Sequence, residues 1–384
     1  MLGFLYAEFV LSSGTQSSSH VPPILLLAFL LTDVTVGYFF KPRLRVNRHL
    51  PSHATAGERI RLTYELHNAS SMPAWDLTID SLPLPRDIEF PDGRAVVNSI
   101  DPHTTVTAVT DIRARERGRY VLAEPRVDSS FPFHLWRWGR NGNSPRQIAI
   151  YPRFTELERL DMSFSTRYQP GGVAYSSDVG SSKEFLSCRE YRYGDEIRHL
   201  HQRSWARLGI PIVKEFREEY LCRTALILDT HRPLSLTKRV RARDQTFEAA
   251  VSLTAATAAW LARQEYLVEL FAAGPQVYRF ESGRSLAYLE DILDVLSCIE
   301  HHPDEPMTDL RAIVEDEKLK LSSAVLMLTV WNDTRRQLIR TLKEAGVAVK
   351  TVLINQTDHR PADLPPEVVC VSAADVQEGR CLAL

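Results

Sequence analysis

Thr224-Ala225-Leu226-Ile227-Leu228-Asp229 decides how the C-terminal half of the chain is read. A short apolar run that stops at a carboxylate is the pattern of a parallel strand buried on both faces. Downstream, Asp244 is placed to cap a helix, in which Phe247, Val251, Thr254, Ala258 and Leu261 recur at helical spacing. Leu267–Ala272 reads as a second strand and Ser285–Ile299 as a second amphipathic helix. Ala324–Val330 repeats the buried-strand pattern. Asp333–Ala345 is helical and ends at Gly346, as a C-terminal cap glycine would end it. Val347–Ile354 and Val368–Val371 complete the series. Strands alternating with helices predict a doubly wound, Rossmann-like α/β unit over residues 222–384.

Upstream the period changes to two. Ile60–Leu66 and Asp76–Leu82 alternate apolar with polar residues, and Val96–Ile100, Val106–Ile112 and Tyr120–Val127 are further strand candidates. Pro, Gly, Asn and Asp separate them, so residues 42–152 predict an antiparallel β-sandwich. Phe131-Pro132-Phe133-His134-Leu135-Trp136-Arg137-Trp138 closes that region and reads as a seam between domains. Residues 153–183 are polar and read as a linker or an ordered loop.

The first 41 residues differ again. Ile24–Phe40 is an apolar run of about 17 residues, enough for a short membrane helix, with Asp33 as a costly intruder. Lys41, Arg43, Arg45 and Arg48 follow at once, and a basic cluster at this position predicts a cytoplasmic location for everything after it. No basic residue precedes the run, so a cleaved signal peptide fits less well. A net charge of −2 gives no basic field for nucleic acid. The five cysteines are widely spaced and form no C-x-x-C pair, which reads as reduced, mostly buried thiols in a reducing compartment.

Chemistry has few places to sit. There is no P-loop, no G-x-G-x-x-G and no G-x-S-x-G. His301-His302 lacks partners at zinc spacing. Asp229 ends the first strand of the α/β unit, where parallel sheets bind metals and phosphates. The densest polar stretch is Glu184–Arg198, continued through Arg203 and Arg207. In it Arg189 and Arg198 are placed to fork onto Asp195 or Glu190. Two readings stay open: an ionic clasp that joins domains, and a docking surface for a charged partner.

That stretch resembles the signature of the domain-of-unknown-function family 58. Its pattern E-F-x-x-x-R-x-Y-x-x-G-D-x-x-R is met by Glu184, Phe185, Arg189, Tyr191, Gly194, Asp195 and Arg198, and Ala206-Arg207 meets its A-R ending. The family's Ile-x-Trp is replaced by Leu200-His201-Gln202, with Trp205 three residues on. Arg117-Gly118-Arg119-Tyr120 and Phe131-Pro132-Phe133 resemble further family elements. The resemblance implies a membrane hairpin, a sandwich and a von Willebrand A-like domain, with residues 153–221 as linker and signature. It also implies a MoxR-type AAA+ ATPase as partner and an adaptor role, at the inner membrane, in assembling or maturing client proteins. Glu190 belongs to the same signature surface.

A metal-ion-dependent adhesion site needs Asp-x-Ser-x-Ser, a Thr and a second Asp, because magnesium takes hard oxygens in octahedral array. Asp229 and Thr308 match two of those positions. His231 and Pro233 replace the serines, and Val330 replaces the second Asp, with Asp333 nearby. The expectation is a degenerate site, no cofactor and no enzyme. The alternatives are an extracytoplasmic adhesion protein, or a hydrolase using Asp229 or a histidine of the 199–201 stretch.

Overall fold

The computed structural model describes residues 21–79, 84–142, 145–162, 184–193, 195, 197–217, 223–231, 245–264, 266–273, 277–281, 286–302, 311–312, 314–315, 321–356, 360–361 and 363–384. The chain divides into two units. One comprises Met1–Arg153 with Leu293–Ile299, and the other Phe154–Ile292 with Glu300–Leu384.

The first described element of this unit is a helix, Val21–Phe39. It is long and apolar enough to cross a membrane, and only 11% of its Pro22–Phe39 window is buried. Eleven strands follow: β1 (Leu44–His49), β2 (His53–Thr55), β3 (Arg59–Asn68), β4 (Ala74–Ile79), β5 (Ile88–Glu89), β6 (Val96–Ile100), β7 (Thr105–Ala114), β8 (Gly118–Leu122), β9 (Arg126–Ser129), β10 (Trp138–Asn141) and β11 (Arg146–Tyr151). They form sheets of order β1-β3-β7-β5, β10-β9-β4-β6 and β2-β11-β8. All pairs are antiparallel except β2 with β11. In β3, Ile60, Leu62, Tyr64 and Leu66 point inward and the residues between them outward, the two-residue period that the sequence shows. They share one core with Leu77 and Ile79 of β4, Ile112 of β7, Leu122 of β8 and Ile148 and Ile150 of β11. The Tyr120–Val127 stretch is two strands, β8 and β9, because Pro125 interrupts it.

Two expectations are corrected in this unit. Arg48 lies on the opposite face of β1 from exposed Arg45 and points inward, at 5% exposure. Its guanidinium donates to the carbonyls of Leu122 (3.0 Å) and Ala123 (2.8 Å), so it holds the sandwich together and adds nothing to the basic surface at the helix end. The aromatic stretch 131–138 packs on the N-terminal helix: Phe29 stacks on Phe133 at 4.3 Å, and Tyr38 meets Trp138 edge-on at 5.7 Å. It is a seam with the helix, where a seam between folded domains was expected.

The second unit holds β12 (Glu184–Glu190) and β13 (Ile212–Arg217), an antiparallel pair. The expected linker therefore contains a hairpin, whose non-local pairing leaves no periodic trace. A 3-10 turn, Ile197–His199, and a short helix, Gln202–Leu208, lie between its strands. The main sheet is built from β14 (Arg223–Leu228), β15 (Leu267–Ala273), β16 (Val277–Glu281), β17 (Ser323–Leu328), β18 (Ala348–Asn355) and β19 (Val369–Ser372). Its order is β16-β15-β14-β17-β18-β19, parallel except for the β16 edge. Ala225, Ile227, Leu326 and Leu353 pack with Leu338 and Leu342 of the helix Asp333–Glu344 on one face. The alternate residues Leu226, Leu228, Val325, Met327, Val352 and Ile354 are buried as well, so the other face is also covered. The helix Gln245–Arg263 lies against β14, β15, β17 and β18. Gly346 adopts the left-handed φ of 74° expected just past a helix end. The Asp244 cap lies outside the described residues. Among the described cysteines, Cys188 and Cys298 are exposed and Cys370 and Cys381 half-buried, so the expectation of mostly buried thiols is corrected.

Arg48→Leu should lower the stability of the sandwich by about 2–3 kcal/mol, since two charge-assisted bonds are lost and two carbonyls orphaned. Arg45→Leu, at an exposed position, should stay within about 0.5 kcal/mol of the parent. Urea unfolding of the detergent-solubilised chain, followed by near-ultraviolet circular dichroism, checks both.

Candidate functional site

In the strand order, β14 is the first parallel strand in sequence, with β15 on one side and β17 on the other. The chain reverses its winding direction there, and the crevice beyond the carboxyl ends of β14 and β17 is where such sheets bind ligands. Asp229 follows β14 directly and is 1% exposed, and Thr329 follows β17. Asp229 does not face an open crevice. Arg335, 0% exposed, forks onto it: Nη2 donates to Oδ1 at 2.9 Å and Nε to Oδ2 at 3.2 Å. The His231 amide donates to Oδ1 at 3.1 Å, and the Thr329 amide and hydroxyl lie 3.4 Å from Oδ2. Both carboxylate oxygens are thus fully engaged by donors.

Arg335 comes from the first turn of the helix Asp333–Glu344, whose N-cap Asn332 accepts from the Arg335 amide at 3.1 Å. A helix start favours acidic residues, and a basic one there is electrostatically misplaced unless it has a partner. That misplacement is the signal in the sequence that points to Arg335, which sequence reasoning missed. A guanidinium supplies the positive charge that a divalent cation would otherwise bring. Asp333, the nearest candidate for the second acidic ligand, has a 91% exposed side chain beside Arg336. Thr308 lies outside the described residues. Among the described residues no cluster of three His, Cys, Asp or Glu is placed to hold a metal. Among the described residues Asp229 is the buried ion-pair partner of Arg335, and no cluster of further acidic ligands gathers beside it.

The signature residues are brought together in the hairpin. Arg189, on β12, donates to Asp195 through Nη1 (2.7 Å) and Nη2 (2.8 Å), and the Arg192 amide adds a third bond at 2.7 Å. These bonds, the Arg189 guanidinium first, pull the Asp195 carboxyl down to about 2. Of the two forks the sequence allowed for Arg189, the one to Asp195 forms, while Arg189 also reaches the Glu190 carbonyl at 3.1 Å. Glu190 is exposed and Tyr191 half-buried. Phe185 lies on β12, paired with Phe216 of β13. Arg198 is in the 3-10 turn, Arg207 is exposed on the short helix, and Gly194 lies outside the described residues.

Around this clasp large apolar side chains are exposed among charged ones such as Arg192, Arg203 and Arg207. No residue of the helix Gln202–Leu208 is buried. Tyr193 is fully exposed, and Ile197, Trp205, Leu208 and Ile210 are exposed too. His201 Nδ1 lies 2.7 Å from the Ser204 hydroxyl and 3.9 Å from Cys188 Sγ.

These features define a class: a multidomain α/β protein with an apolar N-terminal helix, antiparallel sheets and a mainly parallel C-terminal sheet. The description "Protein of unknown function DUF58" matches residues 187–384, over half of the sequence, and the chain belongs to that family. No curated protein matches it. Among solved structures, the CARDB domain of a Pyrococcus furiosus protein is 11% identical, covering 29% of this chain and 96% of its own, with a TM-score of 0.21. The Deinococcus radiodurans RO (RSR) protein is 14% identical, covering 39% and 31%, with a TM-score of 0.27. Similarities this distant do not bear on function.

Arg335→Ala should destabilise the C-terminal unit by about 3–5 kcal/mol, because it strands a buried carboxylate. Asp229→Asn with Arg335→Met should recover most of that loss, as thermal unfolding of the two variants will show. The Asp195 pKa is depressed on folding, so the clasp's contribution is complete above about pH 4 and lost as the pH falls through about 2. Carboxyl-carbon NMR of Asp195 should give a midpoint near that lower value, moving up toward the ordinary carboxylate range in Arg189→Ala.

Proposed function

We propose that this protein is a membrane-tethered adaptor that binds other proteins through its signature hairpin and catalyses no reaction of its own. One observation carries the reading. A small hairpin stiffened by the Arg189–Asp195 fork presents Tyr193, Ile197, Trp205, Leu208 and Ile210 to solvent. Large apolar and aromatic side chains on a rigid base are what hot spots are made of. Leaving them in water is unfavourable, so a partner that covers them gains their burial. The closed Asp229 position supports the same reading, since the usual ligand crevice of the sheet is filled by a protein side chain.

In this reading the C-terminal unit is a von Willebrand A-like domain whose metal position has been replaced by Arg335. The helix Val21–Phe39 is the anchor, exposed Lys41, Arg43 and Arg45 favour the cytoplasmic side, and the partner is the MoxR-type AAA+ ATPase that the family resemblance implies.

Trp205→Ala combined with Leu208→Ala should weaken binding of that ATPase by about thirtyfold or more, roughly 2 kcal/mol, with the thermal midpoint unchanged. Titration of the purified ATPase against the detergent-solubilised chain measures it, and equal affinity for parent and variant would overturn the docking assignment. Protease added outside spheroplasts should leave the C-terminal unit intact. Cleavage from outside would place it on the other face of the membrane.

A further inference from the structure

The turn Ser130–Arg137 raises a question of length. It runs beside the N-terminal helix: Phe131 meets Phe40 at 5.6 Å, Phe133 stacks on Phe29, and Trp138 returns to Tyr38. From Phe39 back to Phe29 is ten residues, or ~15 Å of helix. Suppose the helix lies in a bilayer and the turn stays in water. The apolar sequence upstream of Phe29 runs only from Val21 to Ala28, because Ser17-Ser18-Ser19-His20 before it are polar, and so supplies ~12 Å of helix for the ~30 Å hydrocarbon core. A helix that spans must therefore carry the turn in with it.

Three large side chains of the turn suit that environment, with His134 and Arg137 exposed beside them. Phe133, Leu135 and Trp136 are 41%, 51% and 56% exposed. Irregular backbone at membrane depth is tolerated only when its polar groups are satisfied. Here every backbone donor from Ser130 to His134 is satisfied. The Ser130 amide donates to the Asp76 carbonyl, Phe131 to the Ser129 hydroxyl, Phe133 to Asp33 and His134 to the Ser130 carbonyl, while Pro132 has no donor. The bond from Phe133 to Asp33 Oδ1, at 3.0 Å, also provides for the one carboxylate on the helix, which is 2% exposed. Gly37 lies one turn below Asp33 on the same face. A Cβ there would come within 2.5 Å of the Trp138 indole nitrogen, so the close approach of helix and turn depends on the glycine.

We propose that the turn Ser130–Arg137 is a membrane-embedded wedge. It enters one leaflet beside the anchor helix, with Phe133, Leu135 and Trp136 in contact with lipid. The inference rests on the reading of Val21–Phe39 as a membrane helix and goes beyond it, because a simple tether would leave the sandwich in water.

The test uses the full-length chain with its cysteines replaced, reconstituted in vesicles of phosphatidylethanolamine and phosphatidylglycerol. Single nitroxides are placed at Leu135→Cys, Trp136→Cys, Leu27→Cys on the bare part of the helix, and Val109→Cys on the sandwich surface. Oxygen and a water-soluble nickel chelate are the relaxation probes. The labels at 135 and 136 are expected to lose their response to nickel and gain response to oxygen, as at 27, with the reverse at 109. If 27 is shielded while 135 and 136 respond to nickel, the wedge is overturned and the anchor stands. If all four respond to nickel, the anchor reading fails and takes the wedge with it.

Discussion

The buried pair of Asp229 and Arg335 is the constraint around which the C-terminal unit is arranged. Taking both ions out of water costs several kcal/mol each, and only close geometry with every remaining oxygen engaged offsets it. Asp229 meets that condition through Arg335, the His231 amide and Thr329. Because these donors come from the ends of β14 and β17 and from the helix Asp333–Glu344, the pair holds three elements in one arrangement. The guanidinium also takes up the negative charge of Asp229 at the rim of the sheet, where Thr329 and His231 remain half-buried.

The hairpin uses the same chemistry to a different end. Arg189 and Asp195 form an equally good fork, but in partial contact with water, where a salt bridge adds little stability. Its value is geometric. Two parallel bonds and the Arg192 amide fix the turn between β12 and the short helix, so Tyr193, Ile197 and Trp205 project from a defined base. A side chain already ordered loses less entropy on binding than a mobile one. One fork closes the usual site of the fold, and the other stiffens a surface elsewhere.

What could be read in the sequence follows from which contacts are local. The alternation of Ile60, Leu62, Tyr64 and Leu66 and the apolar run Ala225–Leu228 are properties of single strands, and both survive in the structure with their burial as expected. The Arg189–Asp195 fork was legible because six residues separate its members. Arg335 left only a local hint, a basic residue at a helix start, because its partner lies 106 residues away and nothing in the local pattern names it. Arg48 was misread for the same reason. Its place in a basic cluster suggested a surface role, while its acceptors, Leu122 and Ala123, are more than seventy residues downstream. The hairpin hid in an apparent linker because strand pairing across a 21-residue insertion carries no period of its own.

The aromatic stretch 131–138 shows how a composition signal changes meaning with its partner. Eight residues with four aromatics and a histidine among them suit a core, a ligand platform or a seam equally well. The decision comes from Asp33 and Gly37, one helical turn apart in a segment that otherwise has no reason to hold either. A carboxylate amid leucines needs a donor, and a glycine on the same face needs a close neighbour. The Phe133 amide and the Trp138 indole answer both. An anchor joined to its domain only by a flexible tether would have no use for these two residues. Their presence argues that the helix and the sandwich form one body, so that an anchor helix, as proposed, would hold the domain at a set height and angle to the membrane surface. Such fixing limits the orientations in which the first unit meets anything else at that surface, and a smaller loss of orientational freedom strengthens binding without adding a contact.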